Sequence, residues 1–157
     1  MIVGVVKETF PGERRVAITP RMVPLLAKKE LEVIVEAGAG HPAGFLDPAY
    51  EERGAKVVSS RAEVFGAADI ICQVRCLGAN PEAGRADLEL IKSGQIIMGH
   101  AEPLTDAAPA QAIAEKGGVL FGMELMPRIT RAQSMDVLSS QAVIAGYKAV
   151  LMAAEHL

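Results

Sequence analysis

Short apolar runs alternate with amphipathic segments along most of the chain, and this alternation constrains the fold more than any other feature. The first run, 2–6, is almost continuously apolar, as expected for a strand buried on both faces of a sheet. Further runs of strand length follow at 33–35, 57–58, 70–74, 96–98 and 119–121. Because strands that alternate with helices indicate a parallel sheet, we predict an α/β fold. The expected architecture is a doubly wound parallel sheet of about six strands with helices on both faces.

Predicted helix starts and ends fall between the apolar runs. This alternation of strands and helices is typical of Rossmann-like and flavodoxin-like folds. Thr19-Pro20 and Asp47-Pro48 each combine a capping residue with a proline in the first turn. Ser60 and Glu63 have the spacing of a capping box. A short helix is expected at 88–91, and one over 107–116 that ends at Gly117-Gly118.

The last segment differs in composition from the rest of the chain. It is long and rich in Ala and Met, with small residues that suit close packing against another element. We predict an α/β domain over 1–135 and a long helix over 136–157. Since the sequence stops without a cap or a polar tail, we expect the helix to lead to a second domain of a larger protein.

Composition excludes several classes of function. The net charge of -3 and an aromatic content of 4% without Trp argue against nucleic-acid binding. The two cysteines and three histidines lack the spacing of metal ligands, so no metal site is expected. No uninterrupted apolar run reaches the roughly 18 residues of a membrane span, and no signal segment is evident. We therefore expect a cytoplasmic protein without direct membrane insertion.

The glycine-rich stretch 38–44 follows a predicted strand but does not fit a dinucleotide-binding loop. Its third glycine comes one residue late, and Pro42 interrupts it before any helix begins. We interpret this stretch as a tight surface loop.

A first polar cluster follows the first strand, where Lys7-Glu8 precede Glu13-Arg14-Arg15. Arginines at the carboxyl end of a strand can clamp a carboxylate or phosphate, but a solvated charged loop explains the pattern equally simply. We favour the solvated loop. His100 lies at the carboxyl end of the fifth predicted strand, where it could contact a ligand or hydrogen-bond to nearby backbone.

A second and denser polar cluster follows the sixth strand, over 124–140. It combines two arginines, an amide, a carboxylate and several hydroxyls ahead of an apolar helix. A helix start needs only one capping residue, a role open to Asp136 or Ser139. The surplus of donors and acceptors favours contact with a ligand.

The run 124–141, continued by Ile144-Ala-Gly-Tyr147, closely resembles the NAD(H)-binding component of proton-translocating NAD(P) transhydrogenase. The opening, Lys7-Glu8 with Glu13 and 15–20, resembles a motif shared by that component and alanine dehydrogenase. The resemblance covers the whole chain. It implies hydride transfer between NADH and NADP+ coupled to proton translocation, in a homodimeric component at the cytoplasmic face of the membrane. Membrane-embedded and NADP(H)-binding subunits would be its partners.

The resemblance also implies site residues. The family's loop residues that contact the nicotinamide end of NAD(H) correspond to Arg128, Gln133 and Asp136, with Ser139 beside them. Direct hydride transfer between two nicotinamides needs positioning and exclusion of water rather than an acid or base from the protein. No residue of this chain is therefore expected to act as a catalytic acid or base.

Two alternatives stay open. NAD-dependent alanine dehydrogenase shares positions matching Arg15 and His100, but Arg75 stands where that family's pattern has a catalytic lysine. Since arginine stays charged, it is a poor acid or base, and these three residues are retained as possible cleft residues. The Gly-rich fingerprint of the family's second domain is missing, so the chain alone is expected to be inactive. It could instead be a non-catalytic assembly module that supplies half of a nucleotide site.

Overall fold

The computed structural model describes residues 1–156, so Leu157, the last residue of the predicted helix, lies outside the described residues. Those residues contain one six-stranded sheet of order β3-β2-β1-β4-β5-β6, in which every neighbouring pair is parallel. The doubly wound parallel sheet is confirmed. The strands are β1 (Ile2–Val5), β2 (Glu32–Glu36), β3 (Lys56–Val58), β4 (Ile70–Arg75), β5 (Ile96–His100) and β6 (Val119–Gly122).

The chain forms two compact units, Met1–Gly122 and Met123–Leu157. The first unit holds the sheet and four α-helices, and the second holds a long helix. The helices are α1 (Val23–Ala27), α2 (Asp47–Glu51), α3 (Arg61–Ala67), α4 (Ala108–Glu115) and α5 (Val137–His156). Short 3-10 helices lie at Pro20–Met22, His41–Ala43, Leu77–Ala79, Ala83–Glu89, Met123–Leu125 and Thr130–Met135.

Each face of the sheet has its own hydrophobic core, because successive side chains of a strand point to opposite faces. On one face, Val33 and Val35 of β2 pack in a cluster with Val23 of α1 and Tyr50 of α2. On the other, Ile34 packs in a cluster with Val64, Phe65 and Ile113 of α3 and α4. The predicted placement of helices on both faces is confirmed.

Helix starts match the sequence patterns in part. Ser60 caps α3 as predicted, accepting the Glu63 backbone N–H at 3.3 Å. Asp47 does not cap α2, whose N-cap is Leu46. The Asp47 carboxylate instead accepts the N–H of Gly38, where a positive φ turns the backbone toward it. The helix expected at 88–91 is replaced by the 3-10 helix Ala83–Glu89.

The strand order reverses between β1 and β4, which creates a crevice at the carboxyl ends of these strands. The loops after β4 and β5 meet tightly beside it. A Cβ on Gly78 would lie 1.7 Å from the Ala101 carbonyl oxygen, so only glycine fits there. The Cys76 N–H also donates to the His100 carbonyl at 2.7 Å. These two contacts hold the loops after β4 and β5 together at the carboxyl edge of the sheet, where several polar side chains lie.

Helix α5 is apolar around most of its circumference and is exposed along nearly all of its length. Its 20 residues meet the length and composition of a membrane-spanning helix. The sequence predicted this long helix but not its fit to a membrane span, because Lys148 interrupts the apolar run. Core helices of soluble proteins have the same length and composition.

Candidate functional site at the carboxyl edge of the sheet

The topology brings two of the possible cleft residues side by side. Arg75 and His100 end neighbouring strands β4 and β5 and are register partners across that pair. Both are half-buried. Because the carboxyl ends of parallel strands share one edge of the sheet, residues 25 positions apart in sequence become neighbours.

The third possible cleft residue joins this edge through a carboxylate. Glu13 Oε2 lies 2.7 Å from Arg15 Nη2 and 3.3 Å from Arg75 Nε, and Glu13 Oε1 lies 2.8 Å from Arg15 Nε. We call Glu13, Arg15 and Arg75 the arginine cluster. The Glu13 side chain is only 6% exposed. Hydrogen bonds from Arg15, above all, lower the pKa of Glu13 to about 2, so it is ionised at neutral pH.

Arg75 is held from two further sides. Its guanidinium carbon lies 4.3 Å from the centre of the Phe10 ring, a cation–π arrangement. Its Nη1 lies 3.4 Å from the Ala79 carbonyl oxygen. A guanidinium held this way offers a fixed positive charge and directed N–H groups.

Glu8 stabilises this edge of the sheet by hydrogen-bonding to backbone groups rather than to side chains. Its carboxylate accepts the N–H groups of Val74 at 2.6 Å and of Arg75 at 3.1 Å. These donors lie where the β4–β5 register is irregular. Burial raises the pKa of Glu8, and the two backbone hydrogen bonds act against that rise. Glu8 thus sets the backbone that carries Arg75.

The expectation of a solvated charged loop after β1 is therefore wrong for Glu8 and Glu13. Their carboxylates serve partners more than 60 positions away in sequence, which no local pattern reveals. The available signal was their position directly after a buried strand, at the edge where parallel sheets place functional groups.

A second charged network, which the sequence did not predict, links α3 to β4 and to the loop after β1. Arg61 at the start of α3 pairs with Asp87 through two hydrogen bonds, one of 2.7 Å from Nη2. Gln73 donates to the same carboxylate at 2.9 Å. Arg61 Nη1 also donates to the Lys7 carbonyl at 2.7 Å. The side chains of this network bond to one another, and Arg61 connects α3 to the loop after β1.

The nicotinamide-contacting residues expected from the resemblance all lie in the second unit. Asp136 accepts the N–H groups of Leu138 at 2.9 Å and Ser139 at 3.3 Å, and its other oxygen accepts the Ser139 hydroxyl at 2.7 Å. Asp136 therefore caps α5. The Ser139 hydrogen bond, chiefly, lowers the pKa of Asp136. Arg128 and Gln133 are exposed in the segment ahead of the helix.

The first unit does not fit the pyrophosphate of a dinucleotide. In sheets of this order the pyrophosphate lies at a glycine-rich turn after β1, against the N-terminus of the next helix. Here Val6-Lys7-Glu8 follow β1, the Glu8 carboxylate accepts backbone N–H groups at the end of β4, and α1 begins only at Val23. Donors that suit the amide of a nicotinamide ring are present at Arg128 and Gln133. Residues 1–156 contain no group of three or more His, Cys, Asp or Glu side chains that could hold a metal.

Residues 4–145 match the family model described as alanine dehydrogenase/PNT, N-terminal domain. The chain is 42% identical over 156 residues to NAD(P) transhydrogenase subunit alpha of Cereibacter sphaeroides, covering 99% of this chain and 29% of that subunit. The structure of transhydrogenase from Sinorhizobium meliloti has a TM-score of 0.89 at 41% identity, covering 99% of this chain and 44% of that one.

Alanine dehydrogenases are more distant relatives. The enzyme of Methanococcus maripaludis is 29% identical over 157 residues, which are 100% of this chain and 40% of that enzyme. The chain thus spans less than half the length of each of these relatives. On the match over 4–145, this chain belongs to the alanine dehydrogenase/PNT family, whose N-terminal domain it contains.

Proposed function

We propose that this chain is the N-terminal part of an NAD(H)-binding transhydrogenase subunit and supplies the contacts to the nicotinamide end of the cofactor. The observation that carries the proposal is the 42% identity to a transhydrogenase alpha subunit over nearly the whole chain. Exposed Arg128 and Gln133, ahead of a capped helix, are consistent with it. NAD(H) would supply the hydride.

The proposed task of this chain is positioning. The Gln133 amide and the Arg128 guanidinium would donate hydrogen bonds that orient the ring, and Asp136 with Ser139 would hold the start of α5 beside it. Direct hydride transfer depends on the alignment of two rings in a site from which water is excluded. No proton moves to or from a side chain in this scheme. A further domain of the complete protein would bind the pyrophosphate.

The proposal extends to the setting of the subunit. NADP(H) would bind a partner subunit, and hydride transfer would be coupled to proton translocation by a membrane-embedded one. The component would act as a homodimer, peripheral on the cytoplasmic face. The division into a domain over 1–135 and a helix over 136–157 belongs to the same proposal.

The decisive experiment measures hydride transfer from NADH to an NADP+ analogue in the complete complex. Arg128→Ala and Gln133→Ala are each expected to slow transfer at least about tenfold while complex assembly is retained, since misaligned rings react slowly. Arg53→Ala, an exposed arginine of the first unit, is the matched control and should transfer normally. Normal transfer in both site variants would refute the assignment.

Alanine dehydrogenase activity is the second candidate. It is favoured by the position of Arg75 beside His100 and by the Glu13 carboxylate, which pairs with both Arg15 and Arg75. It requires a group that moves protons at the amine, and Arg75 does not provide one. Pyruvate formation from alanine and NAD by the complete protein would establish this activity. Formation no faster than in a blank reaction would exclude it.

A non-catalytic assembly module is the third candidate. It is favoured by the lack of a pyrophosphate cradle in the first unit. This function requires that the chain form a complex with a polypeptide carrying a dinucleotide-binding domain and complete its NAD(H) site. Equal NADH affinity of that polypeptide with and without this chain would exclude it.

A further inference from the structure

Within residues 1–156, half of one face of the sheet lies outside both hydrophobic cores. The strand register aligns two rows of side chains across this face, which also carries α1 and α2. The rows, taken from β2 across to β6, are Val33, Val3, Ile70, Ile96 and Val119, and Val35, Val5, Cys72, Met98 and Phe121.

Exposure rises along both rows. The members on β2 and β1 are buried, those on β4 and β5 are half-buried, and Val119 and Phe121 of β6 are 47% and 51% exposed. We call the outer six side chains the open face: Ile70, Cys72, Ile96, Met98, Val119 and Phe121.

The opposite face of the same three strands is covered out to the edge. There Ile71 and Ile97 are 0% and 3% exposed, and Leu120 packs against the core that contains residues of α3 and α4. The position of β6 at the edge of the sheet therefore does not explain the exposure of the open face. Because parallel sheets occur almost only with both faces covered, the open face requires a cover.

The open face has the width of a single helix. Three strands spaced ~4.8 Å apart span roughly 10 Å, about the diameter of an α-helix with its side chains. With two rows, the area of the face is on the order of 200 Å². Separate molecules that associate stably bury about 800 Å² on each partner, so stacking of two open faces would be too weak. A tethered segment needs less area, because the tether raises its effective concentration.

We propose that an amphipathic helix from a further segment of the same polypeptide docks on the open face and completes the helix layer of this domain. The inference rests on the proposed function, in which this chain is the N-terminal part of a longer subunit. Relatives have the necessary length, since this chain covers 29% of the Cereibacter sphaeroides subunit. None of the six side chains is charged, so the docking helix should present an apolar stripe with i, i+3, i+4, i+7 spacing.

Thiol labelling of the complete protein and of the 157-residue chain tests the proposal, with N-ethylmaleimide as the probe. Cys72 is a natural reporter on the open face, and Phe121→Cys adds one at its most exposed position. Burial raises the pKa of Cys72 to about 11, so its labelling is slow and the two proteins are compared at one pH. We expect both thiols to react at least about tenfold more slowly in the complete protein, because the docked helix must detach first.

Two further thiols separate docking from general changes in folding. Cys76 is fully buried in the core on the opposite face and should stay unlabelled in both proteins. Glu51→Cys, at an exposed position of α2, should react equally fast in both. Trypsin releases Cys72 and Cys76 in separate peptides, 62–75 and 76–85, so mass spectrometry follows each thiol by itself.

A photoreactive side chain identifies the occupant of the open face. When p-benzoylphenylalanine replaces Phe121 in the complete protein, we expect a cross-link to a peptide beyond residue 157 of the same polypeptide. A cross-link to a second copy, or to a peptide within 1–157, would overturn the proposal.

Equal labelling rates of Cys72 and of the Phe121→Cys variant in the two proteins would also overturn it. Protection of the 157-residue chain that grows with its concentration would do the same, since a second copy would then cover the face. These measurements contain no nucleotide. Unprotected thiols together with slow hydride transfer in the Arg128 and Gln133 variants would remove this inference and leave the proposed site assignment standing. Protected thiols with normal hydride transfer would do the reverse.

Discussion

Two polar clusters of this chain are similar in composition and differ in how they are built. In the arginine cluster and its neighbour Glu8, the carboxylates are covered and bonded to groups brought together by the sheet. In the segment 124–140, Asp136 and Ser139 serve a helix start, while Arg128 and Gln133 are exposed. The first cluster satisfies itself, whereas the second leaves donors available.

This contrast teaches that density of charge does not locate a binding site. Polar groups that already bond to one another have little to offer a ligand, because binding would have to replace those bonds. Exposed polar side chains next to a stable helix start hydrogen-bond to water, and a ligand has only those water molecules to displace. The residues to which we assign contact with the nicotinamide accordingly lie in the second cluster.

The largest expected effect tests whether the interior networks of the first unit are structural. Asp87→Ala removes the nearer of the two carboxylates that pair with Arg61, leaves Glu36 at 3.5 Å, and takes the acceptor from the Gln73 side chain. Loss of one partner of a buried ion pair costs about 3–5 kcal/mol in free energy of unfolding. Urea denaturation measures this loss.

The matched control is Glu51→Ala, which removes an exposed carboxylate from α2. It should unfold at nearly the wild-type urea concentration. If both variants lose the same small amount, the network is not structural and the comparison between the clusters fails.

The next effect is a dependence of stability on pH that differs between Glu13 and Glu8. Arginine contacts lower the pKa of Glu13 from its ordinary 4.5 to about 2, so its contribution is present above pH 4.5 and is lost as the pH falls through about 2. Burial raises the pKa of Glu8, so its contribution is largest below pH 4.5 and is lost as the pH rises through its folded value.

Unfolding free energies between pH 2 and 7 check both signs. The stability difference between the wild type and Glu13→Gln should shrink as the pH falls below 4.5. The corresponding difference for Glu8→Gln should change with pH in the opposite direction. A Glu13→Gln difference that is constant across this range would show that the arginines do not hold that carboxylate ionised.

The smallest expected effect belongs to the exposed cluster. Gln133→Ala should change the free energy of unfolding by no more than about 0.5 kcal/mol, as is usual for surface positions without structural partners. Thermal and urea unfolding of the full chain measure it. A much larger loss would mean that the second cluster is interlocked like the first, and the contrast between them would disappear.

Local sequence patterns were sufficient for the elements themselves. Apolar runs placed all six strands to within two residues, and the Ser60 capping box and the long helix ahead of residue 157 were correct. Asp47 shows the limit of such patterns. Its carboxylate accepts the N–H of Gly38, nine residues earlier, at 2.9 Å, a contact that the cap-and-proline pattern does not indicate.

By itself, the sequence determined the alternation of strands and helices and the family-specific run before α5, because both are encoded over a few neighbouring residues. Tertiary structure decided the strand order, and with it the meeting of Arg75 with His100 and of Glu13 with Arg75. Contacts between residues more than 60 positions apart depend on which strands pair and on which loops cross the sheet edge. Local periodicity carries no information about either. It therefore suggested a solvated loop at Glu13, whose side chain is in fact covered and pairs with Arg15 and Arg75.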